Sequence, residues 1–132
     1  MAPVLRRAGA ILAVSDFERS LGFYRDLLGL EVEATYDDPP YATLRAAGAR
    51  VSLAEQGHAA ADRPGVTMTA PADRSRLAAI LVLEVEDCLA AHAELLAAGV
   101  EFLAEPFSPP WGGHRCFALD PDGNLIELEE PA

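Results

Sequence analysis

The sequence predicts an α+β fold made of two copies of a β-α-β-β-β module, and three observations predict it. First, Ala10-Ile11-Leu12-Ala13-Val14-Ser15-Asp16 resembles Leu81-Val82-Leu83-Glu84-Val85-Glu86-Asp87. Second, each stretch leads into a helix-length segment that ends at a glycine and a new strand, Gly29-Leu30-Glu31-Val32 in one half and Gly99-Val100-Glu101-Phe102 in the other. Third, a strong hairpin signal, Asp120-Pro121-Asp122-Gly123-Asn124, closes the chain: proline presets one turn angle and glycine supplies a positive φ. A spacing of about 70 residues is too long for a solenoid repeat and fits a duplicated module. Aligning the halves needs a one-residue gap between the Asp and the Gly.

The first helix begins near Ser15, which has capping-box spacing to Glu18, with Asp16 as a rival cap. Phe17, Leu21, Tyr24 and Leu28 define its apolar face, and Gly29 suits a left-handed C-terminal cap. The second helix runs from about Asp87 to Ala98, with Leu89, Ala93 and Leu96 as its expected apolar stripe and Gly99 at its end. Strands follow at about 30–36, 41–46 and 49–55, with a tight turn at Ala47-Gly48, and at about 100–104, 114–119 and 124–130. The modules, about 8–55 and 79–130, form one domain over 1–132 and are joined by a long loop, 56–77. Loops of that length often serve as lids or remain disordered.

Strand alternation sorts the side chains into two faces. Leu12, Val14, Val51, Leu53, Leu81, Leu83, Val85, Ile126 and Leu128 are uniformly apolar and belong under the helices. The other face is mixed in both halves: Gly9, Ile11, Ala13, Arg50, Ser52 and Ala54 in one, Ile80, Val82, Glu84, Leu125, Glu127 and Glu129 in the other. Two curved sheets with such faces can enclose a cleft.

Composition bounds the function. The chain has 132 residues, 51% of them hydrophobic and 23% charged, a globular composition. Ten basic residues, all arginine, stand against 21 acidic ones, for a net charge of −11. That opposes nucleic acid and anionic membranes and favours cationic ligands, although acidity also simply aids solubility. No apolar run reaches the roughly 20 residues of a membrane helix. Arg6-Arg7 and the short apolar stretch after it read as the approach to a strand and not as a signal peptide. Cys88 and Cys116 read as reduced, cytoplasmic thiols.

The paired modules, the segment Val14-Ser15-Asp16-Phe17-Glu18-Arg19-Ser20-Leu21-Gly22-Phe23-Tyr24 and the ending Asp120-Pro121-Asp122-Gly123-Asn124-Leu125-Ile126-Glu127-Leu128 resemble the vicinal oxygen chelate superfamily. That superfamily includes glyoxalase I, extradiol dioxygenases and bleomycin-resistance proteins. The resemblance spans about residues 8 to 130 and implies the fold, which carries many functions. It implies four metal-ligand positions, and here they hold Gly9, Ser52, Ile80 and Glu127. One carboxylate and a serine hydroxyl do not make a divalent site, so no family-type metal and no cofactor is expected. His58, His92 and His114 share no short ligand spacing; His92 reads as a surface residue and His114 as the one nearest the cleft.

What remains is a pocket with an apolar floor and few polar groups, the pattern of small-molecule sites. Within the superfamily this pattern is similar to the metal-free bleomycin-resistance type, which implies a homodimer that sequesters a drug. The candidate ligand-binding residues are Trp111, Phe107, Tyr41, Tyr36, His114, Arg115, Ser52 and Glu127. Trp111 sits in Phe107-Ser108-Pro109-Pro110-Trp111-Gly112-Gly113, where it can stack on a planar or cationic ligand or pack across an interface. Tyr36 and Tyr41 either line the groove or are ordinary strand-end tyrosines. Arg50 and Arg115 are possible partners for Glu127. No nucleophile–base pair stands out, so the residues favour a binder over an enzyme. The alternative is a glyoxalase-like lyase or isomerase, or a dioxygenase, with a non-standard metal site.

Overall fold

A computed structural model describes residues 1–132. Eight strands and two helices follow in the order β1 (Gly9–Val14), α1 (Phe17–Gly22, continued by a π-helical turn, Phe23–Leu27), β2 (Glu31–Asp37), β3 (Pro40–Ala46), β4 (Ala49–Glu55), β5 (Leu81–Glu84), α2 (Cys88–Ala97), β6 (Glu101–Phe102), β7 (His114–Leu119) and β8 (Leu125–Glu130). The expected α+β architecture and βαβββ repeat are present. The chain forms two compact units, Met1–Ala70 and Pro71–Ala132, with the boundary inside the long connection. No helix is long and apolar enough to cross a membrane.

The first unit holds a sheet of order β1-β4-β3-β2, and the second a sheet of order β5-β8-β7-β6. In each, the first strand pairs parallel with the last, and the other strands form an antiparallel meander. The strands sit close to where the sequence predicts them, except that β6 keeps only two residues. In the first unit Val14, Leu44, Val51 and Leu53 are buried together with Phe17, Leu21 and Tyr24 of the helical segment. Glu31, Glu33, Arg7, Arg45 and Arg50 form ion pairs across one end of the sheet.

Both helices start on an aspartate. Asp16 accepts from the backbone N–H of Arg19 at 3.2 Å, so it is the cap and Ser15 is not. Asp87 does the same for Ala90 at 3.0 Å. Both end at a glycine in the left-handed region, Gly29 (φ 74°) and Gly99 (φ 95°). The segment from Asp16 to Gly29 is one residue longer than that from Asp87 to Gly99. The π turn takes up that residue: Leu28 N–H reaches Phe23 O and Leu30 N–H reaches Tyr24 O, whereas Val100 N–H reaches Leu95 O.

The second helix buries a different face from the one expected. Leu89 and Leu96 are half exposed, at 52% and 50%, while Cys88 and His92 are buried. The His92 ring lies 4.4 Å from the Phe102 ring, which corrects its reading as a surface residue. Cys88 Sγ is 3.6 Å from Cys116 Sγ, and desolvation raises both thiols, Cys116 to about 12. Glu130 adds a second carboxylate at this helix start, accepting from Cys88 N–H at 2.9 Å.

The connection carries no helix or strand, but its first part is closed at its base: Gly57 N–H donates to Met68 O at 2.9 Å and Ala70 N–H to Gln56 Oε1 at 3.0 Å. The β7–β8 turn is held mainly by Asp120, a residue 2% exposed. Its carboxylate accepts from Asp122 N–H, Asn124 N–H and Asn124 Nδ2 at 2.8 to 2.9 Å. Gly123 takes a positive φ of 85°, and its N–H donates to Asp120 O.

Candidate functional site

Helix α2 covers one face of the second sheet, where Cys116, Ile126 and Leu128 lie buried. Strand register builds the opposite face in three rows. The first holds Leu125 and Leu119 between Ile80 and Glu101; the second holds Val82, Glu127, Phe117 and Leu103; the third holds Glu84, Glu129 and Arg115, with Phe107 bridged beside it. Much of this face is bare: Ile80, Val82, Leu103, Phe107 and Trp111 are all exposed, Trp111 at 70%.

At the centre stands Glu127, 8% exposed, with Val82 and Phe117 as its cross-strand neighbours. Loss of hydration raises its carboxyl, and a hydrogen bond and like charge from Glu129 raise it further. Arg115 acts in the opposite direction but does not dominate. Its guanidinium lies over three rings instead, 5.4 Å from Trp111, 5.4 Å from Phe117 and 6.0 Å from Phe107. The ring face of Trp111 read as a ligand platform is therefore shared with a cation of the protein's own.

The second unit thus brings Trp111, Phe107, Arg115 and Glu127 onto one face. His114 alternates away from it, toward Cys116's side, and its Nδ1 is 3.7 Å from Glu130 Oε2 without a hydrogen bond. In the first unit, Tyr36 and Tyr41 are cross-strand neighbours with rings 6.1 Å apart. Tyr41 and Ser52, the latter 1% exposed, line a separate hollow of about 880 Å³ with Gly9, Ile11 and Arg50. Strand alternation already places Glu127 and Glu129 on one face; the feature it misses is the Arg115 ring cluster, although Arg115 and Phe117 fall two apart on one strand.

The residues at the four family ligand positions do not fit a metal. A Cβ at Gly9 would lie 2.6 Å from Arg50 O, so the backbone approach leaves no room there for a histidine. Ile80 has no donor atom, and Ser52 offers only a neutral hydroxyl. No group of three or more His, Cys, Asp or Glu side chains converges anywhere. The histidines are apart in role: His58 Nε2 is 2.7 Å from Glu55 Oε1, His92 packs on Phe102, and His114 neighbours Glu130.

Two four-stranded sheets of the same order, each with one helical segment and one parallel pair, define the duplicated βαβββ class. The chain belongs to the Glyoxalase/Bleomycin resistance protein/Dioxygenase superfamily, whose family model matches residues 6–128. It is 27% identical over 118 residues to YraH of Bacillus subtilis (strain 168), covering 89% of this chain and 91% of that one. Among solved structures it is similar in fold to TnmS3, an antibiotic binding protein from Streptomyces sp. CB03234 (TM-score 0.76, 23% identity, 100% of both chains). It is equally similar to lactoylglutathione lyase from Agrobacterium tumefaciens (TM-score 0.76, 19% identity, 98% of this chain and 96% of that one).

Proposed function

We propose that this protein is a metal-free binder of a small organic cation, acting by sequestration, with antibiotics as one ligand class. The observation that carries the proposal is the exchange at the family positions. Gly9 is closed to any side chain, Ile80 is hydrocarbon, and the surviving acid, Glu127, has Val82 and Phe117 across the strands and a second carboxyl, Glu129, beside it. A carboxylate in such surroundings attracts an organic cation better than it holds an ion needing three or more donors. The fold likeness to an antibiotic binding protein is in keeping with this reading, and the likeness to a lyase is a likeness of fold.

In this reading Trp111, Phe107 and Arg115 flank the ligand and Glu127 neutralises it, while Tyr41 and Ser52 line the hollow of the first unit. The protein works as a homodimer, the arrangement that the resemblance to bleomycin-resistance proteins implies. It works in the reducing cytoplasm, which suits two unpaired buried thiols.

Titration with a panel of planar and cationic compounds, followed by Trp111 fluorescence with a chelator present, tests the reading. Saturable quenching at micromolar concentrations is expected. No response across the panel, or about one equivalent of Zn, Ni, Fe or Mn retained per chain, would contradict it and favour a metal-dependent enzyme.

A further inference from the structure

The bare face of the second sheet changes character along its strands. One end is a hollow of about 570 Å³ walled by Leu77, Ile80, Leu103, Leu119 and Leu125. That volume lies within the range of small-molecule sites. The charges at its rim largely cancel. The Arg74 stem lies on Gly123, where a Cβ would come 2.7 Å from Arg74 Cγ, and its guanidinium is 3.9 Å from Glu101. Two residues along β8 from Leu125, roughly 7 Å at the strand rise, stands Glu127. At the far end the rings of Trp111, Phe107 and Phe117 already stack with Arg115. A planar cation at that end meets a like charge already set over the rings, while the hollow is walled by hydrocarbon.

We propose that the ligand of this face is an amphipathic cation with a flexible aliphatic body, of the alkylamine or alkyl quaternary ammonium class. Its hydrocarbon fills the hollow and its charged head reaches Glu127. The proposal rests on the binder reading above and narrows it from planar to aliphatic ligands. Charge complementarity supports it: residues 71–132 carry three arginines against twelve acidic residues.

Calorimetric titration of the whole chain with hexyl-, octyl- and decyltrimethylammonium, below their micelle thresholds, tests it. Affinity is expected to rise up to about fourfold per added methylene until the hollow is full. Decyltrimethylammonium is expected to bind at least about tenfold tighter than decyl sulfate, the margin of one lost charge contact. Glu127→Gln should remove that preference and keep the chain-length dependence; Leu103→Ser should flatten the chain-length dependence and keep the preference. Equal binding of the sulfate, or no effect of chain length on the unmodified protein, would overturn the proposal. If planar dyes quench Trp111 while alkyl cations do not bind, the binder reading stands and this inference fails. If neither binds, the binder reading itself fails.

Discussion

At equivalent positions of the two sheets, Ile11 lies beside Ser52 and Ser52 beside Thr43, while Val82 lies beside Glu127 and Glu127 beside Phe117. Strand order and register are repeated, so the backbone poses the same question twice and the side chains answer differently. The first unit carries seven arginines against nine acidic residues, a net of −2; the second carries three against twelve, a net of −9. On the first sheet, Arg45 and Arg50 pair with Glu31 and Glu33. On the second, the one arginine of β7 stacks on rings and leaves the carboxyls of β8 to each other. The duplication supplies a frame, and ligand chemistry follows from which residues fill its bare faces.

The largest expected effect breaks the comparison at its turns. Asp120 holds the β7–β8 turn with three charge-assisted acceptances, whereas the β3–β4 turn has no such staple. Asp120→Ala should cost about 1–3 kcal/mol, measured by urea denaturation, because it leaves three part-buried donors without their acceptor. A loss below about 1 kcal/mol would show that Gly123 and Pro121 alone define the turn.

The next effect contrasts the two closed ligand positions. Gly9→Ala should destabilise the protein by about 1–3 kcal/mol, since its Cβ meets Arg50 O at 2.6 Å. Ile80→His, at a half-exposed position, should stay within about 0.5 kcal/mol. Equal tolerance at both sites would mean that the Gly9 backbone can move aside.

Glu127 gives a pH-dependent contrast with Ser52. Its folded carboxyl is raised above the ordinary carboxylate value, so the folded state disfavours its charge. The resulting penalty is full above the raised folded value and vanishes below the unfolded one. Glu127→Gln should therefore stabilise the protein at pH 8 and leave it unchanged at pH 4, measured by thermal melts at both. A gain that is the same at both pH values would contradict burial as the cause.

The smallest effect concerns Ala47, which takes a positive φ of 52° in the β3–β4 turn. Ala47→Gly should stabilise by about 0.5–1 kcal/mol by relieving a conformation that L side chains rarely adopt. The sequence signal there was Gly48; the residue under strain is its neighbour.

The fold was legible because its punctuation is local. Asp16 and Asp87 cap, Gly29 and Gly99 close, and Asp120 to Asn124 turn, each by chemistry within a few residues. The uniformly apolar strand face was legible for the same reason. The buried face of α2 was not. Leucine and alanine occupy most of its turns, so periodicity barely separates Leu89–Ala93–Leu96 from Cys88–His92. Its partners, Cys116 and Phe102, arrive from strands later in the chain and decide the matter. The π turn appeared in the sequence only as a one-residue gap. In the candidate site, Glu127 and Trp111 stood out by motif and rarity, while the role of Arg115 depended on three rings converging from a loop and a strand.

Calorimetric titration of the chelator-treated protein with an organic cation, run in parallel on Glu127→Gln, addresses the central claim most directly. Saturable, metal-independent binding that weakens about tenfold or more in the variant is expected. Binding that appears only when a divalent metal is restored, or that is untouched by the loss of Glu127's charge, would contradict it.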